Sequence, residues 1–290
     1  MYAVVRAVIA LLERETSLEN RQVGLGILKE FRTGAVTAWL ELATGSADAV
    51  LRCGAWEALA ARLGLESLDR LRRALDDPEL QGPLLRGLRE NEGPVTLALS
   101  LAALDVLEVR DDVADILALY GAAACSALLH ALATGSTEVR IGAIAVLGEL
   151  GSHNSEFQAG AGAVAERLRD FDPRIRGEAA LALGRMGRIE VLQVLAQALR
   201  DSEARVRSCA AFGLAQIPAS ESAPQVVPAL LESLNDPDSG VRLQAAVALI
   251  SHADSRALPG LRAGLRDVDF RIRDACATAL ARIANHEDAS

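Results

Sequence analysis

One fourteen-residue frame recurs along this 290-residue chain and limits what it can fold into. Its clearest copy runs from Asp201 to Leu214: an Asp, then Arg207 six residues later, with Val206 before that arginine, Ala210 three after it and Leu214 seven after it. The frame also fits Asp170 to Leu183 around Arg176, Asp236 to Leu249 around Arg242, and Asp267 to Leu280 around Arg273. Toward the N-terminus, Arg140, Arg110 and Arg52 keep the flanking apolar positions. Gln81 replaces the arginine while Leu80, Leu84 and Leu88 stay, and Arg21 keeps Leu28 but follows Asn20. The reference positions 21, 52, 81, 110, 140, 176, 207, 242 and 273 are separated by 29 to 36 residues. Self-similarity at this period indicates a stacked array of small units.

Each unit divides into two helical patterns. In the unit of Arg207, Arg188 to Arg200 carries Val191, Leu192, Leu195 and Leu199 on one face, which predicts a first helix. Asp201 to Ala204 form a turn, and Arg205 to Gln216 predict a second helix with Val206, Ala210, Ala211, Leu214 and Ile217 in register. Pro218 should end it, as Gly187 and Gly151 should end earlier second helices. Two intervals are longer by about five residues, and the extra length falls in Ser152 to Gly160 and Pro218 to Pro224. Both are expected as edge loops, and either is a candidate recognition loop. Met1 to Glu15 reads as an amphipathic helix and not as a signal peptide. The expected organisation is one all-α solenoid over residues 1–290, with a capping helix at 1–16 and repeats over 17–286.

Composition narrows the function classes. Hydrophobic residues make up 51% and aromatics only 3%, so the core must come from Ala, Leu, Val and Ile, which let helices approach closely. The net charge of −9 and the single lysine, Lys29, weigh against a phosphate-neutralising surface, and no nucleic-acid partner is expected. No segment reaches the ~20 apolar residues of a membrane span. Cys53, Cys125, Cys209 and Cys276 are scattered, as reduced thiols in a cytoplasmic protein would be.

The Asp–(x)5–Arg spacing, the Val-Arg or Ile-Arg dipeptide and the following Ala-x-x-x-Leu resemble the HEAT repeat, and more closely its HEAT-like, phycobilisome-lyase-like subtype. The resemblance covers roughly residues 17–286. It implies a right-handed α-solenoid of about nine helix pairs, with second helices lining a concave face and an Asp/Arg ladder joining successive units. That family includes scaffolds, adaptors, lyase subunits and a few enzymes.

The ladder residues suit that part. A turn Asp accepts backbone N–H bonds, and the planar five-donor fork of an Arg can bridge to the Asp of its own or the adjacent unit. Asp170/Arg176, Asp201/Arg207, Asp236/Arg242 and Asp267/Arg273 are the candidate ladder. Asp48, Asp77, Asp172, Glu203, Asp238 and Asp269, four residues before the reference position in six of the nine units, are candidate caps of second helices. Where the outer Asp is lost, Asp76 and Asp105 are candidate substitutes.

No catalytic residue, cofactor or metal site is expected. His130, His153, His252 and His286 have no second histidine at helical ligand spacing, and Asp111, Asp112 and Asp115 read as a solvated acidic face. The remaining signal lies five residues after each reference position, which a helical wheel turns away from the core. The N-terminal units place Gly26, Glu57, Arg86 and Asp115 there; later ones place Ala145, Leu181, Phe212, Val247 and Thr278. Leu181, Phe212 and Val247, rimmed by Glu149, Arg185, Gln216, Ser251 and Arg282, form a candidate docking strip for a protein or peptide. The expected function is a non-catalytic scaffold or adaptor. The resemblance alone offers a second reading, a subunit of a bilin lyase or a chaperone of a tetrapyrrole-carrying protein.

Overall fold

The computed structural model describes residues 2–62, 64, 67–91, 93–217, 226–252 and 254–287, and every regular element among them is helical. Contacts divide the chain into two compact units, Met1–Tyr120 and Gly121–Ser290. The first holds four helix pairs: α1 (Tyr2–Leu12) with α2 (Leu18–Lys29), α3 (Gly34–Ala43) with α4 (Ala49–Ala60), α5 (Leu68–Ala74) with α6 (Pro78–Arg89), and α7 (Pro94–Ala102) with α8 (Arg110–Ala118). The second holds five: α9 (Gly121–Thr134) with α10 (Thr137–Gly151), α11 (Ser155–Gln158) and α12 (Ala161–Glu166) with α13 (Pro173–Met186), α14 (Leu192–Ala198) with α15 (Ala204–Gln216), α16 (Val226–Ser233) with α17 (Ser239–His252), and α18 (Leu258–Gly264) with α19 (Phe270–Glu287). Second helices pack on second helices within each unit: α2, α4, α6 and α8 in the first, α10, α13, α15, α17 and α19 in the second. The repeat frame thus folds as an all-α solenoid of helix pairs.

The core follows the wheel. Val206, Ala210, Ala211, Leu214 and Ile217 are all fully buried. In the next repeat the corresponding last position is His252, whose Nε2 lies 3.0 Å from the Leu214 carbonyl. Burial pushes the His252 pKa down, so the ring is neutral and Nε2–H donates to that carbonyl.

Small residues set the spacing between second helices. A Cβ added to Gly184 on α13 would stand 2.3 Å from Gly213 Cα on α15, and one added to Gly213 would stand 2.6 Å from the Ala180 carbonyl oxygen. Gly148 on α10 meets Ala182 of α13 in the same way, at 2.6 Å from its Cα. Backbones this close leave no room for a side chain, and the scarcity of aromatics is the compositional trace of that packing.

Several local expectations need correction. The first helix expected over Arg188–Arg200 is split: a 3-10 turn at Ile189–Val191 precedes α14, a tightened first turn of the kind short helices adopt. Gly187 does end α13 in the left-handed conformation, at φ 65°, but Gly151 is simply the last residue of α10, which Ser152 follows in right-handed geometry. The expected loop over Ser152–Gly160 is folded against the core. Asn154 caps α11 by accepting the Glu156 N–H, and Phe157 is fully buried, because burying an aromatic ring outweighs leaving this insertion free. The expected stop at Pro218 and the loop to Pro224 lie outside the described residues.

Candidate functional site

The ladder runs between repeats. Arg176 gives Nε and Nη2 to the two carboxylate oxygens of Asp201 at 2.7 and 2.8 Å, and its Nη1 reaches back to the Asp170 carbonyl at 2.8 Å. Arg207 holds Asp236 with the same two bonds and the Asp201 carbonyl with the third, and Arg242 does so with Asp267 and the Asp236 carbonyl. Arg140 reaches Asp170 through Nη1 alone, at 2.9 Å. Each Asp is also tied into its own turn: Asp170, Asp201, Asp236 and Asp267 accept the N–H two residues on. The arginine therefore staples its own turn with one nitrogen and the following repeat with the other two.

This geometry shifts the titrations. The Arg207 guanidinium, with the Asp238 N–H, holds the Asp236 carboxyl below the usual range, and Arg242 does the same for Asp267. Burial would raise Asp201, but the bonds from Arg176 and the Glu203 N–H outweigh it and the net direction is down. Asp48, Asp77, Asp172, Asp238 and Asp269 cap their second helices through backbone N–H groups. Glu203 does not cap α15: its side chain makes no cap bond, and its N–H is the group that Asp201 accepts.

In the first unit the acids are rearranged. Arg52, Gln81 and Arg110 keep the backward bond to the carbonyl six residues before, at Ser46, Leu75 and Leu104. The forward bond goes elsewhere, from Arg21 to Asp48 and from Arg52 to Glu79. Asp76 and Asp105, expected as ladder substitutes, both pair with Arg72 on α5, because one residue of displacement turns them toward the first helices. A further acid was missed in the sequence: Glu15 stands six residues before Arg21, which donates to its carbonyl. The spacing alone would have revealed it.

The outward positions also differ between units. In the first, Glu57 accepts from Lys29 at 2.7 Å and Arg86 at 3.0 Å, and these groups with Gln22, Leu25 and Cys53 line a cavity of about 600 Å³. Asp112 and Asp115 share Arg89, so these two acids of the α8 cluster are ion-paired, while Asp111 is exposed. In the second unit, Leu181 and Val247 are half-buried and Phe212 is 37% exposed. Glu149, Arg185, Gln216 and Arg282 are exposed and Ser251 is half-buried. Among the described residues no group of three His, Cys, Asp or Glu side chains could hold a metal ion, and no helix is long and apolar enough to cross a membrane.

A helix-pair repeat protein is the class that this stacking and ladder define. The model of the HEAT repeats matches residues 161–250 and 227–290, and the first unit carries the same frame on the same helix pairs. No curated protein matches the sequence. Among solved structures, the chain is similar to an engineered protein at 19% identity, over 76% of this chain and 97% of that one, with a TM-score of 0.50. It is also similar to Kap121p in its complex with Nup53p, at 15% identity and a TM-score of 0.62, over 98% of this chain but only 38% of that one. The complex of CpcE and CpcF of phycocyanin lyase from Nostoc sp. superposes with a TM-score of 0.45 at 19% identity, over 55% of this chain and 98% of that one, too loosely to bear on function. These likenesses are likenesses of fold.

Proposed function

We propose that the second-helix face of the second unit docks a protein or peptide, with the chain acting as a non-catalytic adaptor. The observation behind this reading is Phe212, which leaves 37% of its surface in solvent between the half-buried Leu181 and Val247 of the neighbouring second helices. An exposed aromatic between two partly sheltered aliphatics offers one anchor and a shallow apolar floor, while Arg185 and Gln216 supply polar contacts at the edge. Kap121p, a protein of the same fold, is described as bound to Nup53p, which is consistent with such use of a helix-pair surface. The acidic balance of −9 favours a protein over a nucleic-acid partner. The free thiols of Cys53, Cys125, Cys209 and Cys276 suit a cytoplasmic setting. The lyase reading has no residue of this site behind it.

Peptides selected on the wild-type chain from a displayed random library provide the test. Phe212→Asp should weaken the selected peptides at least tenfold and leave the circular dichroism melt within a few degrees of wild type. Glu57→Arg, at the equivalent position of the first unit, should leave binding intact. Unchanged affinity in the folded Phe212→Asp variant would move the docking site off this strip.

A further inference from the structure

Two positions make the seam between successive second helices. Four residues after the reference position, Leu25, Trp56, Leu85, Ala114, Ile144, Ala180, Ala211 and Ala246 are all buried; the last of the series, Ala277 on α19, is exposed. Six residues after it, Ala58, Gly87, Ile116, Val146, Ala182, Gly213, Ala248 and Ala279 are all buried; the first of the series, Ile27 on α2, is 40% exposed. The contact of Gly213 with the backbone of Ala180 and Gly184 shows how these positions meet: the sixth residue of one repeat sits between the fourth and eighth of the repeat before. Ala277 and Ala281, both exposed, therefore present one half of a seam, and Ile27 presents the other.

The ladder is open at the same two helix pairs. Arg273 donates Nη1 to the Asp267 and Val268 carbonyls, as its counterparts do to their own turns. Among the described residues, the Nε and Nη2 that grip the next carboxylate in Arg176, Arg207 and Arg242 have no partner on Arg273. Glu15 is held by its own turn, accepting the Thr16 and Ser17 N–H groups at 2.8 Å and the Asn20 amide at 3.0 Å, but receives no guanidinium fork. Val23 and Ile27 on α2, with Val4 and Leu11 on α1, leave large apolar surface in water.

We infer that α19 of one copy stacks on α2 of a second copy, head to tail, with Arg273 gripping the Glu15 carboxylate and Ile27 seated between Ala277 and Ala281. The ladder and the seam independently require the same register, since the four junctions of the second unit, from Arg140–Asp170 to Arg242–Asp267, join the reference arginine to the acid six residues before the next reference position while the small residues meet alongside. A second copy is the occupant because this chain supplies both halves of the junction, complementary in charge and in shape. The contact is heterologous, so each copy can both give and receive it.

Sedimentation equilibrium of the full chain over a hundredfold concentration range tests the inference. The average mass of wild type should rise above the monomer with concentration. Arg273→Ala and Glu15→Ala should each weaken association at least tenfold, and an equimolar mixture of the two should form a dimer and nothing larger, because only one productive junction remains. Ile27→Glu, which removes no hydrogen bond, should abolish association while its melt stays that of wild type. A wild type that remains monomeric throughout, or association that survives both Arg273→Ala and Ile27→Glu, would overturn it.

Discussion

Arg207 and Asp236 belong to different repeats, yet they are joined by two parallel bonds, Nε to Oδ2 at 2.7 Å and Nη2 to Oδ1 at 2.8 Å. The third nitrogen of the same guanidinium holds the Asp201 carbonyl at 3.0 Å. The side chains are 14% and 9% exposed, so the pair is sheltered without being cut off from water. Arg–Asp stapling thus couples the stability of each repeat to that of the next.

Removing Arg207 leaves the Asp236 carboxylate and two turn carbonyls without their donor. An exposed pair contributes under about 1 kcal/mol, and breaking a fully buried one costs about 3–5 kcal/mol. Arg207→Ala should fall between, lowering stability by about 1–3 kcal/mol, seen as a lower urea midpoint with little change in slope. Arg207→Lys should recover only a small part, since one ammonium cannot span the carboxylate and the carbonyls together. Superimposable urea curves for wild type and Arg207→Ala would show that the ladder does not stabilise the fold.

Acid should open the same ladder. The Arg207 and Arg242 guanidinium groups hold Asp236 and Asp267 below the ordinary carboxyl range, so the folded chain binds fewer protons there than the unfolded one. Their stabilisation is complete above the unfolded pKa of about 4 and is lost as pH falls through the lower folded values. Asp236→Asn should cost stability at pH 7 and flatten the decline below about pH 4, measured by thermal melts from neutral pH downward. A decline as steep as that of wild type would remove Asp236 from the account.

Two buried glycines should respond with opposite signs. A Cβ at Gly213 meets the Ala180 carbonyl oxygen at 2.6 Å, which cannot yield without separating α13 from α15, so Gly213→Ala should destabilise by about 1–3 kcal/mol. A Cβ at Gly177 meets only the Cys209 sulfur at 3.5 Å, an ordinary contact. Gly177→Ala should therefore gain about 0.5–1 kcal/mol from helix propensity. Calorimetry of the two variants checks the pair, and a shift of the same sign in both would contradict the seam geometry.

What the sequence determined by itself was local and periodic. The distance between reference arginines gave the helix pairs, because a repeating apolar pattern can bury itself only by stacking. The wheel put Val206, Ala210 and Leu214 inside and Phe212 outside, because every position on one helix is related by a fixed rotation. Glu15, six residues before Arg21, was equally legible by spacing. Tertiary structure alone decided which carboxylate each arginine holds, since its own and its neighbour's lie within reach of the same long side chain. Spacing could not tell that Arg52 turns to Glu79 while Asp76 and Asp105 go to Arg72. Nor could it tell that the insertion after α10 folds inward on Phe157, or that Ala277 and Ile27 are exposed where their counterparts are buried. Those outcomes depend on what packs alongside each helix, and neighbours are set by the stack rather than by the chain.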